Sequence, residues 1–343
     1  MQTLAEINQG WPNTCTELQE AMRRTHPNTA WVRLHRAAVA CSSICTQDWL
    51  PDWSRVHAAA DLGPLVIDCS TDAFNGFEQA LVAWLKPRFS EFTILSPDAR
   101  YLAQPQEHIC YFPYFFLCLI GHDMHADAVV TNSQRTHPVS CINGRARTHR
   151  IENWLKIRQR SWFNRCLFRM NRRFDPEAEM CESGLDFEDP VMLEQFLTLL
   201  PGLPDPAGID HTANDPAYVD SYINLVPESH MRTGELFVSE KTFKPLLSGQ
   251  MAFWLAAHGI VAFLRDLGFD MFDDYIDHAY DREPNWHRRI DLIHQELDRM
   301  IDLDFEQISV ATQSRRLYNK HYIQDPALHE RLNAQCVYHA GMI

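Results

Sequence analysis

Glu240, Lys241 and Lys244 lie close together in the string Phe237-Val238-Ser239-Glu240-Lys241-Thr242-Phe243-Lys244-Pro245, which follows Ile223-Asn224-Leu225-Val226-Pro227-Glu228-Ser229 after a short polar gap. The apolar run, the gap and a capping-type serine predict a strand, a loop and a helix start. A helix N-terminus carries N–H groups without intrahelical partners and a partial positive charge, so it attracts phosphate. Two lysines strengthen that attraction. The Glu240 carboxylate beside them can accept hydrogen bonds from ribose or sugar hydroxyls, and Ser239 and Thr242 add hydroxyls to the same turn. These residue types suit a nucleotide diphosphate. The bland alternative for Glu240 and Lys241 is a surface ion pair of little energetic consequence.

A second joint has the same logic. Asn143-Gly144-Arg145-Ala146-Arg147-Thr148-His149-Arg150 lies between a predicted strand, Val139 to Asn143, and a helix that Thr148 can cap. Arginine's planar fork matches phosphate, so Arg145, Arg147 and Arg150 are candidates for a second hold on a diphosphate. A basic helix start pairing with acidic loops is the structural alternative. Glu228, at the end of its strand, needs a partner if buried, and an arginine of 145–150 or Lys241 would serve. It could equally be an ordinary loop glutamate.

The segment from Ile223 to Gln250 resembles the donor-binding motif of α1,3-fucosyltransferase-like glycosyltransferases, in which a strand ends in Glu-Asn and a Tyr-Val-Thr-Glu-Lys segment opens a helix. Glu228-Ser229 and Phe237-Val238-Ser239-Glu240-Lys241 stand at those positions here, with Ser229 in place of the usual Asn. The resemblance is clear over about 30 residues. It implies a GT-B fold of the α/β class, two Rossmann-like domains facing each other across a cleft, with the donor nucleotide sugar held mainly by the C-terminal one. It further implies that Glu240 contacts the donor's sugar or ribose and Lys241 its diphosphate, and that transfer to an acceptor hydroxyl, on a glycan or another molecule, inverts the anomeric centre without a metal or other cofactor. Departure from the family pattern after Gln250 leaves the donor sugar open.

By that comparison the catalytic base comes from the N-terminal domain. Asp68 ends a predicted strand, Leu65 to Asp68, where α/β sites form. Asp72 and Glu78 follow it, and Asp123 lies in a later loop. Asp68 and Asp72 rank first, because a loop directly after a strand positions a side chain firmly. Capping the next helix is the competing role for Asp68.

Strand–helix alternation on both sides of residue 130 predicts two domains, 1–130 and 131–343, each with a parallel sheet. Helices are expected from Thr16 to Arg24, around Ala30 to Cys41, after Ser70 or Thr71 through Leu85, from Val191 to Leu200, and along Trp286, Ile290, Ile293, Leu297 and Ile301. Strands are expected at Phe92 to Leu95, Tyr222 to Val226 and Met251 to Ala256. Gly249 and Gly268 should close the helices before them. The aromatic run Tyr111 to Phe116 reads as core more readily than as a sugar-stacking platform.

No leader peptide or membrane-spanning apolar run is visible, so a cytoplasmic enzyme is expected, in the host cytoplasm if the chain is viral. Ten scattered cysteines without a Cys-x-x-Cys pair read as reduced thiols. His122-Asp123-Met124-His125-Ala126-Asp127 has ligand-type residues but no established metal spacing. A net charge of −14 disfavours nucleic acid. The basic stretch 145–173 keeps open a transferase acting on a modified nucleobase, and a catalytically silent nucleotide-sugar binding protein is a further alternative.

Overall fold

The computed structural model describes residues 30–33, 65–70, 77–104, 106–114, 116, 135–144, 146–170, 190–202, 215–231, 234–329 and 331–332. Two compact units emerge. The first comprises Met1–His122, Glu235–Val238 and Pro326–Ile343, the second Asp123–Gly234 and Ser239–Asp325. The division falls at 122/123 where the sequence put it at 130/131, and residues 235–238 and the C-terminal stretch group with the first unit. Both units are α/β with a parallel four-stranded sheet.

In the first unit β1 (Ala30–Arg33), β2 (Leu65–Asp68), β3 (Phe92–Ser96) and β4 (Ile109–Tyr111) lie side by side in chain order. Helix α1 (Phe77–Leu85) links β2 to β3, and the short α2 (Arg100–Ala103) precedes β4. Ala30 to Arg33 form a strand where a helix was expected, in register with Leu65 to Asp68. The β-branched, aromatic-rich Trp31-Val32 suits a parallel strand, and pairing with β2 overrides the helical spacing. Tyr111, Phe112 and Phe116 are buried in the core and Tyr114 is half-buried, while Phe115 lies outside the described residues.

The second unit contains β5 (His137–Asn143), α3 (Thr148–Ile157), β6 (Leu167–Met170), α4 (Pro190–Leu199), α5 (Pro216–Val219), β7 (Ser221–Pro227), α6 (Glu240–Leu247), β8 (Met251–Leu255), α7 (Ile260–Leu267), α8 (Trp286–Met300), α9 (Phe305–Ala311) and α10 (Gln313–Ile323). Its strand order is β6-β5-β7-β8. From β5 the chain moves one way to β6, then returns to the other side of β5 for β7 and β8. The order therefore reverses between β5 and β7, and ligands in open α/β sheets bind outside the carboxyl ends of the strands at such a point.

Why these residues form this sheet is plain from burial. Met251 to Leu255 are buried throughout and β7 nearly so, as expected of parallel strands covered on both faces. Gly249 and Gly268 adopt φ of 63° and 106°, the left-handed conformation that ends α6 and α7. Buried arginines fasten loops to this frame. Arg135 donates to the carbonyls of Tyr218, Ser221 and Ser248, and Arg289 to those of Met231 and Ala256.

Leu225 is fully buried in β7, between β5 and β8. Leu225→Ala should lower unfolding free energy by about 2–5 kcal/mol, read as a drop in the urea midpoint with an unchanged slope.

Candidate functional site

Glu228 emerges from β7 with no exposed surface. Its carboxylate accepts from the Ser229 and Ser239 backbone N–H groups at 3.0 and 3.1 Å. The Ser239 hydroxyl approaches both carboxylate oxygens, at 2.9 and 2.7 Å, and the Thr242 hydroxyl donates as well. Ser239 is also the N-cap of α6, its Oγ accepting from Lys241 N at 3.2 Å. A single carboxylate thus clasps the opening turn of the helix, where a negative charge is favoured. Its partners differ from those expected: two serines and a threonine hold the carboxylate, and the arginines contact the backbone beside it. Ser239 and Thr242, both buried, serve the clasp.

Glu240 and Lys241 stand apart from these. Their side chains keep 25% and 30% of their surface exposed, and Lys241 Nζ lies 2.9 Å from Glu240 Oε1. They are the charged groups of this turn that a solute can reach. Burial opposes ionisation of Glu240, but Lys241 and Lys244 outweigh it and hold its carboxyl at about 2. Lys244 itself is buried. Pro245 sits inside the helix and has no N–H to give to the carbonyl of Lys241.

The joint after β5 meets the same loop. His149 Nε2 donates to the carbonyl of Glu228 at 2.9 Å. Arg150 donates to the carbonyls of Pro227 and Glu228, and Arg147 to that of Ser229. Burial, reinforced by Arg150, pushes His149 well below the usual histidine range, so its imidazole is neutral. Arg147 and Arg150 are buried and fasten the loop after β7; the chain's own carbonyls, not a free anion site, receive the N–H groups described here. Ser229 is half-buried in that loop. Arg145 lies outside the described residues.

Thr148 was expected to cap α3. The N-cap is Arg147, in extended conformation and with no side-chain cap bond, and Thr148 is the first helical residue. Its Oγ1 is buried without a hydrogen-bond partner, as is Oδ1 of Asn143 at the end of β5. Both atoms are shut off from solvent, the setting of a buried water and not of an open solute site. The corresponding joint after β8 is closed: Asp281 accepts from Gly259, Val261 and Ala262 N–H at 3.0–3.1 Å and so fills the N-terminus of α7 with the chain's own carboxylate.

In the first unit Asp68 and Glu78 are both buried. Asp68 accepts from the Ser70 N–H and hydroxyl in the turn directly after β2, seven residues or more before the described start of α1 at Phe77. Glu78 accepts from Ser96 Oγ at 2.6 Å, and burial pushes its carboxyl up, with Asp98 adding to the rise. Asp98 is not among the residues singled out from sequence. It lies two residues beyond the end of β3, pairs with Arg100, and accepts from Leu236 N at 3.1 Å. Its place in the loop directly after a strand is the signal that could have found it. Asp72, Asp123 and the His122–Asp127 cluster lie outside the described residues.

The basic stretch is largely neutralised where it is described. Lys156 pairs with Glu152 and Asp291, Arg160 with Asp298, Arg165 with Asp302 and Arg169 with Asp215. Arg158 lies over the Trp154 ring. Asp291 and Asp298, two turns apart on α8, face Lys156 and Arg160. A cavity of about 670 Å³ lies elsewhere, between α7, residues 273–282 and α8. Of its three arginines, Arg265 and Arg299 are paired with Asp273 and Glu296, and Arg282 is the third.

Among the described residues Cys69, Cys110, Cys141 and Cys166 are free thiols, no group of side chains is arranged to hold a metal ion, and no helix is long and apolar enough to cross a membrane. No family model matches the chain, and no curated protein does.

Two outcomes follow from the clasp. Glu228→Gln replaces an acceptor-only group with one that turns an N–H₂ towards existing donors, and should cost at least about 1.5–3 kcal/mol, the worth of one charge-assisted bond, in denaturant unfolding. Glu240 has a depressed carboxyl, so its contribution is present above the ordinary carboxylate range and is lost as pH falls from about 4.5 to about 2. Glu240→Gln should be less stable than wild type by about 1–2 kcal/mol at neutral pH after allowance for solvent screening. The two unfolding curves should converge near pH 2.

Proposed function

We propose that the chain is a glycosyltransferase using a nucleotide-diphosphate sugar, of GT-B architecture and similar to the α1,3-fucosyltransferase-like enzymes. The observation that carries this reading is the position of two basic strand–helix joints, after β5 and after β7, on either side of the point where strand order reverses. At the second of them a rigid clasp leaves Glu240 and Lys241 open to solvent.

Each exposed group then has a part. Lys241, with Lys244 behind it and the N-terminal dipole of α6 beneath, stabilises the charge that grows on the departing diphosphate. Glu240 stays ionised at any physiological pH and receives a hydroxyl of the ribose or sugar. An inverting transfer also requires a base to take the acceptor's proton. Glu78 is the described residue whose carboxyl is raised towards that task, although its burial requires an opening to expose it.

A thermal-shift series with GDP, UDP, CMP and dTDP sugars should raise the melting temperature for one base class, because a ligand binding only the folded state stabilises it by mass action. Lys241→Ala should weaken that ligand by about 1.5–3 kcal/mol in calorimetric titration, while the variant stays folded at the temperature of the titration. A ligand bound equally by Lys241→Ala and Glu240→Ala would sink the reading. Transfer should persist in EDTA, since basic side chains and a helix end perform the charge neutralisation; loss on chelation with recovery in Mn²⁺ would reverse that expectation.

A further inference from the structure

A carboxylate–imidazole pair stands outside the residues assigned so far. His287, in the first turn of α8, places Nδ1 2.5 Å from Oε2 of Glu152 on α3. Glu152 is buried, its side chain 8% exposed, and Lys156 holds its other oxygen at 2.6 Å. The imidazole itself is 44% exposed and is braced by the Trp286 ring, 3.6 Å between centroids. Nε2 makes no hydrogen bond to any described residue.

Glu152 as a carboxylate accepts only, so His287 donates to it through Nδ1, and Nε2 is left with its own hydrogen-bonding capacity to spend. A buried carboxylate orienting a half-exposed ring is the arrangement by which proteins aim the outer nitrogen of histidine at a ligand. A purely structural ion pair would need no such orientation, and Lys156 already satisfies Glu152.

The pair lies at the strand ends that carry the two joints. Two residues after His287, Arg289 donates to the carbonyls of Met231 and Ala256, in the loops that follow β7 and β8. Glu152 belongs to the helix whose Arg147, His149 and Arg150 bind the carbonyls of Ser229, Glu228 and Pro227. The first turn of α8 is therefore fastened to the loop that precedes Glu240 and Lys241.

We propose that His287, oriented by Glu152, is a ligand-binding residue whose Nε2 forms a hydrogen bond with a hydroxyl of the bound nucleotide sugar. This rests on the reading above, and the hydroxyl belongs to the ribose or to the transferred sugar. The residue acts in recognition: a ligand with a hydroxyl at this position is held, and one lacking it leaves Nε2 without its partner.

His287→Asn keeps a donor for Glu152 and removes Nε2, whereas His287→Gln places an amide near the position of Nε2. Calorimetric titration of wild type and both variants with UDP and GDP, their 2′,3′-dideoxy counterparts and the matching nucleotide sugars separates the sources. If the ribose is held, Asn weakens the hydroxylated nucleoside diphosphate about tenfold and leaves the dideoxy form unchanged. If the sugar is held, both nucleoside diphosphates bind as before and the nucleotide sugar alone weakens about tenfold. In either case Gln restores most of the loss. Equal weakening of every ligand, or of none, overturns the proposal while leaving the glycosyltransferase reading intact. Failure of wild type to bind any nucleotide overturns that reading and this inference with it. Should the Asn variant not fold, the Gln variant compared with Glu152→Gln carries the same ligand pattern.

Discussion

A carboxylate with no access to water must have its hydrogen bonds supplied by the fold, and Glu228 imposes that demand on the centre of the second unit. Its position at the end of β7 means that the strand cannot be buried unless Ser229, Ser239 and Thr242 are brought to it. Satisfying Glu228 therefore fixes the path of the loop and the first turn of α6 together. The helix end is rigid because a buried charge leaves it one arrangement, and Glu240 and Lys241 take their places from that.

Arginines complete the same logic from the other side. Arg135, Arg150, Arg289 and Arg316 are buried, and each donates to backbone carbonyls at loops or helix ends. A guanidinium has five donors in a fixed plane, so it can join several carbonyls that no strand or helix would satisfy. Burial pushes Arg135 and Arg289 down to about 10, still far above neutrality, so both remain charged. An arginine in such a position is cement between segments. This is why a basic motif read as an anion site can be spent on the backbone.

That distinction limited what the sequence could convey. Strand–helix alternation, helix closure at Gly249 and Gly268, and the long helix from Trp286 are written in apolar spacing and glycine conformation, and they appear as read. Ala30 to Arg33 were misread because a four-residue strand has too few positions to distinguish its period from that of a helix. The string Ser239 to Lys244 was legible as a charged helix start, since local sequence dictates a cap. Which of its residues face inward was not, because Glu228, eleven residues earlier, decides that. Pairing of 156–169 with Asp291, Asp298, Asp302 and Asp215 joins distant stretches that no local pattern relates.

The bonds around Glu228 also bear on the order in which the chain folds. Its partners Ser239 and Thr242 lie within the run from β7 through α6 to β8, whose strands pair in register from Ile223↔Met251 to Pro227↔Leu255. Contacts to Arg147, His149 and Arg150 must instead close loops of 78 to 82 residues. Loop-closure entropy makes short-range assembly faster. The strand–helix–strand segment 221–255 is thus suited to organise early, with the helix end shaped before β5 arrives to complete the sheet. Recognition geometry would then be built into a nucleus of folding, and substitutions at Glu228 would slow folding more than they speed unfolding.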